Sequence, residues 1–199
     1  KISAKMCPYS AIRIVKLPEE LNEEPIHRYG INQFRLYNLP TPIFGKVVGI
    51  VGVNGIGKSS AIKIFAGLMK PNLGGEKEVD ARQLIAFFKG TETQGFFEKL
   101  ASGNIRVVYK PQQVEMIQKK VTGNVRLLLE AVDSRRKIKE VSEKLGISAI
   151  LDRDIGALSG GELQRVAIAA AVLKDANFYI FDEPTSYLDV KQRLRLSTF

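Results

Sequence analysis

The sequence predicts an α/β domain, a mostly parallel sheet flanked by helices and carrying a helix–loop–helix insertion. Three observations carry that expectation. Short apolar, strand-like runs alternate with helix-patterned segments along the chain. A glycine-rich loop, Gly52 to Ser59, sits between an apolar run and a helical one. The apolar run Phe178–Phe181 ends on two carboxylates, Asp182 and Glu183.

The chain has 199 residues, ample for a buried core. At 45% hydrophobic and 26% charged residues it reads as a globular domain, not a disordered segment. No apolar stretch is long enough to cross a bilayer, and the N-terminal residues lack a signal-peptide layout, so no membrane partner is expected. The single cysteine, Cys7, excludes an internal disulfide and points to a reducing compartment, cytosol or nucleus, with the cytoplasm expected. A net charge of +9 suggests a polyanionic partner such as nucleic acid. A basic surface with no partner fits the composition equally well.

In chain order, Ala11–Val15 is an extended β-branched run, followed by the acidic turn "PEELNEEP". Ile31–Pro40 alternates apolar and polar residues like a strand, and Lys46–Val51 is the strand expected before the glycine loop. Residues 58–68 pattern as a helix ending near Gly67. Two helical segments flank Lys89-Gly90, giving a helix–loop–helix over about 79–101. A short buried strand is expected at Ile105–Tyr109, then helices at Asn124–Val132 and Arg135–Leu145. "GGELQRVAIAAAVL" is another expected helix, and "FYIF" the strand after it. The Lys- and Arg-rich stretches at Lys119–Lys144 and Lys191–Arg195 read as solvated helix faces.

Gly52-Val53-Asn54-Gly55-Ile56-Gly57-Lys58-Ser59 fits G-x-x-x-x-G-K-[ST] at every fixed position. Glycines let successive backbone N–H groups curl around phosphate oxygens, and the following helix start adds positive potential. Lys58 would reach the β/γ-phosphates of a nucleotide such as ATP, and the Ser59 hydroxyl would ligate Mg²⁺ beside Ser60. Asp182 would hold the Mg²⁺ shell, and Glu183 would orient and deprotonate the attacking water. Leu158-Ser159-Gly160-Gly161-Glu162 opens a helix shortly before that strand. Ser159 can bond a phosphate, or cap its own helix with Glu162 in a capping box, and the two readings are compatible.

The order of phosphate loop, "LSGGE" and "FDEPTSYLD" resembles the ABC-type ATPases. Within them, "KMCPYSAIRIVKLPEEL", "HRYGINQFRLYNLPTP", "GVNGIGKSSAIKIFAGLMKPNLG" and "DEPTSYLDVKQR" resemble the ABC-E subfamily, the ribosome-recycling ATPases also called RNase L inhibitors. The resemblance implies that Gln112 is the Q-loop glutamine contacting Mg²⁺ and sensing the γ-phosphate. It also implies that Ser186 and Asp189 belong to the D-loop and that Phe34, with Tyr29, lies against the adenine. By the same resemblance, residues 1–28 are the end of an iron–sulfur domain and linker. Residues 29–199 are most of the first nucleotide-binding domain. The stretch Leu158 to Glu162 would cap an ATP held by a second nucleotide-binding domain.

The implied function is ATP hydrolysis that splits ribosomes into subunits after termination or rescue, with a part in translation initiation. The implied partners are the small ribosomal subunit (rRNA and ribosomal proteins) and a release factor or Pelota. Two other readings remain: an inhibitory, hibernation-type binding module without turnover, and a transporter ATPase subunit. The subfamily carries [4Fe–4S] clusters. Cys7-Pro8 matches the end of a C-x₂-C-x₂-C-x₃-C-P run, but Ser3 stands where the preceding cysteine should be, and a neutral hydroxyl is a poor iron ligand.

Overall fold

Most helix starts in this chain are fixed by side chains that satisfy the free N–H groups of the first turn. The computed structural model describes residues 24–198. The element order is β1 (His27–Arg28), β2 (Arg35–Leu36), α1 (Lys58–Phe65), α2 (Ala81–Phe87), α3 (Glu92–Ala101), β3 (Val107–Lys110), α4 (Glu115–Lys120), α5 (Val125–Val132), α6 (Ile138–Leu145), α7 (Gly160–Leu173), β4 (Phe178–Phe181) and α8 (Val190–Ser197). Asp80 caps α2 and receives Gln83 in return, Thr91 caps α3, Asn124 caps α5 and Asp189 caps α8. The expected capping box at Ser159 and Glu162 starts α7.

β3 and β4 pair in parallel, Val107 opposite Phe178 through to Lys110 opposite Phe181. This brings the end of Tyr109-Lys110 beside Asp182. β1 and β2 form a separate antiparallel pair. One core gathers α5, α6 and α7 around Leu129, Leu145, Val166 and Ile168. The other packs α1 against the α2–α3 hairpin through Phe65, Phe96 and Phe97.

The helix–loop–helix stands where the pattern put it, its two helices joined through Gly90 at φ 83°. The expected strand at Lys46–Val51 does not form. The segment lies in neither sheet of the described residues, and Val47 and Val51 are fully exposed, at 101% and 97%. The reason is physical: an apolar strand needs a neighbouring ladder, and none runs beside this segment among the described residues. The alternating run Ile31–Pro40 likewise contracts to Arg35–Leu36. The basic run Lys191–Arg195, read as a solvated helix face, lies in α8. α4 is a helix the pattern does not predict by its bounds: it buries no residue, so it leaves no apolar stripe to read. The run Ala11–Val15, together with Ser3 and Cys7, lies outside the described residues.

Candidate functional site

Gly57, the residue before α1, takes φ 99°, and a Cβ placed there would lie 2.7 Å from the Phe34 ring. No other residue type fits both demands. The loop thereby folds against β2 and the two expected aromatics. Tyr29 Oη lies 2.8 Å from Ser60 Oγ, and the Tyr29 and Phe34 rings are 6.3 Å apart.

A cleft of about 370 Å³ opens over the loop. Asn54, Gly55, Gly57, Lys58, Ser59 and Ser60 form one wall, and Phe34, Gln112 and Glu183 complete it. Gly52 contributes through its backbone: Lys58 Nζ donates to Gly52 O at 2.7 Å and to Val53 O at 2.9 Å. Ile56 points outward, 56% exposed.

On the far side burial splits the acidic pair: Glu183 lines the cleft and Asp182 lies behind it, outside the lining. Asp182 is 6% exposed, and its Oδ2 accepts from Tyr109 Oη at 3.1 Å. Glu183 faces the cleft, and its Oε2 accepts from Gln112 Nε2 at 2.9 Å and from Ser186 Oγ at 3.1 Å. Glu183 holds φ 45°, a left-handed backbone that a non-glycine residue adopts at a cost of about 1–3 kcal/mol.

Beneath them lies a group the motifs did not announce. Lys110 is 2% exposed and its Nζ donates to Asp182 O at 3.1 Å. Burial pulls its ammonium down to about 8, against the carboxylates of Asp182, Glu183 and Glu115 that favour its charge. Burial, and then the charge and hydrogen bond of Asp182, push the Tyr109 hydroxyl up to about 12. Lys110 could have been found from its place at the end of a buried strand, two residues before Gln112.

The signature stretch stands apart from this cleft. Leu158 is buried, and Gln118 Nε2 donates to Leu158 O and Ile155 O. Glu162 closes onto Ser159 and pairs with Arg153 at 2.7 Å. The backbone and hydroxyl of Ser159, with Arg153 behind them, hold its carboxyl below the usual range. Gly160 and Gly161 abut Tyr187, and a Cβ on Gly161 would lie 2.9 Å from Tyr187 O. Tyr187 also hydrogen-bonds the Glu115 carboxylate. Asp189 caps α8, accepting from Gln192 N at 2.8 Å. The structure thus brings together the loop, both aromatics, Gln112 and Glu183. It leaves Leu158, Ser159, Gly160, Gly161 and Glu162 on another face, outside the cleft lining.

The donor set suits Mg²⁺. Ser59, Gln112 and Asp182 offer hard oxygens, and no cluster of three or more His, Cys, Asp or Glu side chains exists among the described residues. Mg²⁺ characteristically takes one or two carboxylates and completes its shell with water and substrate phosphates.

Comparison with known proteins places this geometry. The profile of the family described as "ABC transporter" matches residues 44–186. The chain is 46% identical over 195 residues to "ABC transporter E family member 1" of Arabidopsis thaliana, covering 98% of this chain and 32% of that protein. It is 47% identical over 198 residues to "Translation initiation factor rli1" of Schizosaccharomyces pombe, covering 98% and 33%. A solved structure described as "Model of ribosome-bound archaeal Pelota and ABCE1" superposes with a TM-score of 0.85 at 52% identity, covering 99% and 33%. The chain therefore spans about a third of the length of these relatives.

Proposed function

This chain belongs to the ABC family of ATPases and to its ABC-E group, and on that premise we propose that it works as the first nucleotide-binding half of a ribosome-splitting ATPase. In this reading Lys58 and the loop amides hold the ATP phosphates, while Tyr29 and Phe34 flank the base. Ser59, Gln112 and Asp182 hold Mg²⁺, which neutralises charge between the phosphates when bound. Glu183 orients the water and takes its proton. Residues 1–28 form the end of an iron–sulfur domain and linker, and residues 29–199 the nucleotide-binding domain.

The observation that carries this reading is the pairing across the cleft. The Glu183 carboxylate, which lines the same cleft as the loop, is steadied by the Gln112 amide at 2.9 Å. Glu183→Gln in the full-length polypeptide should keep ATP binding and lower turnover by roughly 10²–10⁴-fold, the usual weight of a general base. Unchanged turnover would sink the assignment.

The signature stretch, outside the cleft, is free to cap an ATP held by a second nucleotide-binding domain, so hydrolysis would need that partner half. Proposed partners beyond it are the small ribosomal subunit and a release factor or Pelota, with a cytoplasmic site of action. No helix among the described residues is long and apolar enough to cross a membrane. We assign the subunit contact to the outer side of the α2–α3 hairpin. Its inner side is already committed, because the buried Phe96 packs on Phe65 with ring centroids 5.1 Å apart. The test is therefore a pair of surface changes, Phe87→Ser and Lys89→Glu, read by co-sedimentation with small subunits. Undiminished binding would remove the hairpin from the interface. No iron–sulfur ligation is assigned to this chain, since Ser3 replaces the needed thiolate.

A further inference from the structure

Inside α7, one turn past Ser159, sits a glutamine that is fully buried among apolar neighbours. Gln164 is 0% exposed, and Leu163, Val166 and Ala167 beside it on the same helix are buried too. Its Nε2 donates to the backbone oxygen of Glu183 at 3.0 Å. Its Oε1 is buried and finds no partner among the described residues. Burying an amide and leaving its acceptor unpaired is costly, and an aliphatic side chain of the same length would avoid that cost. The donor is therefore the part of this side chain with a use.

That use is visible at the other end of the bond. Glu183 stands at φ 45°, in the left-handed region, and its carbonyl also receives Ser186 N at 3.2 Å. The turn Glu183–Ser186 closes on itself, and Gln164 ties that closed turn to the rigid helix. A left-handed backbone at a non-glycine residue persists where its surroundings hold it, and it sets where the side chain points. Here the side chain points into the cleft.

We propose that Gln164 is a positioning residue for Glu183: its amide pins the strained carbonyl to α7 and so aims the carboxylate at the attacking water. The inference rests on the reading of Glu183 as the base, and it adds a fixed link between that base and the helix that the signature stretch opens.

The test uses Gln164→Met in the full-length polypeptide, which keeps length and apolar packing and removes the donor. Turnover should fall about 10–10²-fold, the scale expected when a catalytic group is misplaced by about an ångström, while MgATP affinity stays at the wild-type value. Amide exchange in the peptide containing Ser186 should quicken as the turn loosens. In a Glu183→Gln background, single-turnover hydrolysis should show no further fall from Gln164→Met, because the group being aimed is already gone. Wild-type turnover in a folded Gln164→Met protein overturns the proposal. So does an equal fall in the Glu183→Gln background, or a loss of MgATP affinity that matches the loss of turnover. If Gln164→Met does not fold, Gln164→Leu, which also fills the apolar site and lacks the donor, is read in the same way. Full turnover in Glu183→Gln alone would instead defeat the reading of Glu183, which separates the two failures.

Discussion

The two walls of the cleft are built on different principles. The wall carrying Asp182 and Glu183 backs onto α7, where Val166, Ala169 and Leu173 are 0% exposed. The wall carrying Lys58 is the first turn of α1 and the loop before it, and that loop's approach, Lys46–Val53, is largely open to solvent. Val47, Val51 and Val53 there are 101%, 97% and 74% exposed. One wall is held by a packed spine; in the other, the loop ahead of α1 is held by glycine geometry and by a lysine bonded to the loop's own carbonyls. The difference separates groups that must be aimed from groups that must wrap. A base and a metal ligand work only from fixed positions, whereas backbone amides can close around a phosphate when it arrives.

The largest expected effect tests the spine. Leu129, 0% exposed in α5, packs in the core that supports α7. Leu129→Ala should cost about 2–5 kcal/mol of folding stability, the span for emptying a buried leucine site, measured by denaturant unfolding. A cost near zero would mean that the helical core collapses freely around the gap and is no rigid support.

Lys58→Ala tests the opposite wall. Removing a charged donor to phosphate should weaken ATP binding by about 1.5–3 kcal/mol, with little effect on folding, because its present bonds are to exposed loop carbonyls. Calorimetric titration and an unfolding curve separate the two effects. A stability loss matching the affinity loss would show that the loop is held as firmly as the spine.

The contrast between the walls also explains what could be read from sequence. Helices are local: α7 announces itself through Ser159 and Glu162 at its start and an unbroken apolar run behind them. The α2–α3 hairpin was equally plain, from apolar residues at helical spacing on either side of Lys89-Gly90. The site motifs were legible because their glycines and lysine stand at set spacing; Gln112 and Phe34 line the cleft with them, and Tyr29 bonds Ser60 of its wall. What sequence could not give depends on distant neighbours. Lys46–Val51 has strand composition but no ladder among the described residues. The roles of Lys110 and Gln164 appear only once β3, β4 and α7 are side by side. Gln164 reads in sequence as one more polar residue of a helix.

A smaller effect is expected at the start of α7. Ser159→Ala removes the cap accepting from Glu162 N and its bond to the Glu162 carboxylate. The usual cost of losing such a cap is about 0.5–2 kcal/mol. Turnover should then be compared with stability at matched fractions folded. If Ser159 acts only as a cap, turnover will follow the folded fraction. If it also meets a phosphate across a partner half, turnover will fall further than folding does.

The smallest expected effect is at Val51, and it is the one that most sharply probes the open wall. A side chain 97% exposed loses nothing on substitution, so Val51→Ser should change the stability of this 199-residue chain by no more than about 0.5 kcal/mol. Yet a run of exposed valines that joins no described sheet is a template for strand pairing. The same substitution made in the longer polypeptide distinguishes the two cases. An equally small change there means that the loop wall stays open and wraps its nucleotide unaided. A cost of about 1–3 kcal/mol there, absent here, means that a strand from outside this chain completes the sheet against Lys46–Val51. The phosphate loop would then be as firmly backed as Glu183, and the contrast between the two walls would belong to this chain alone.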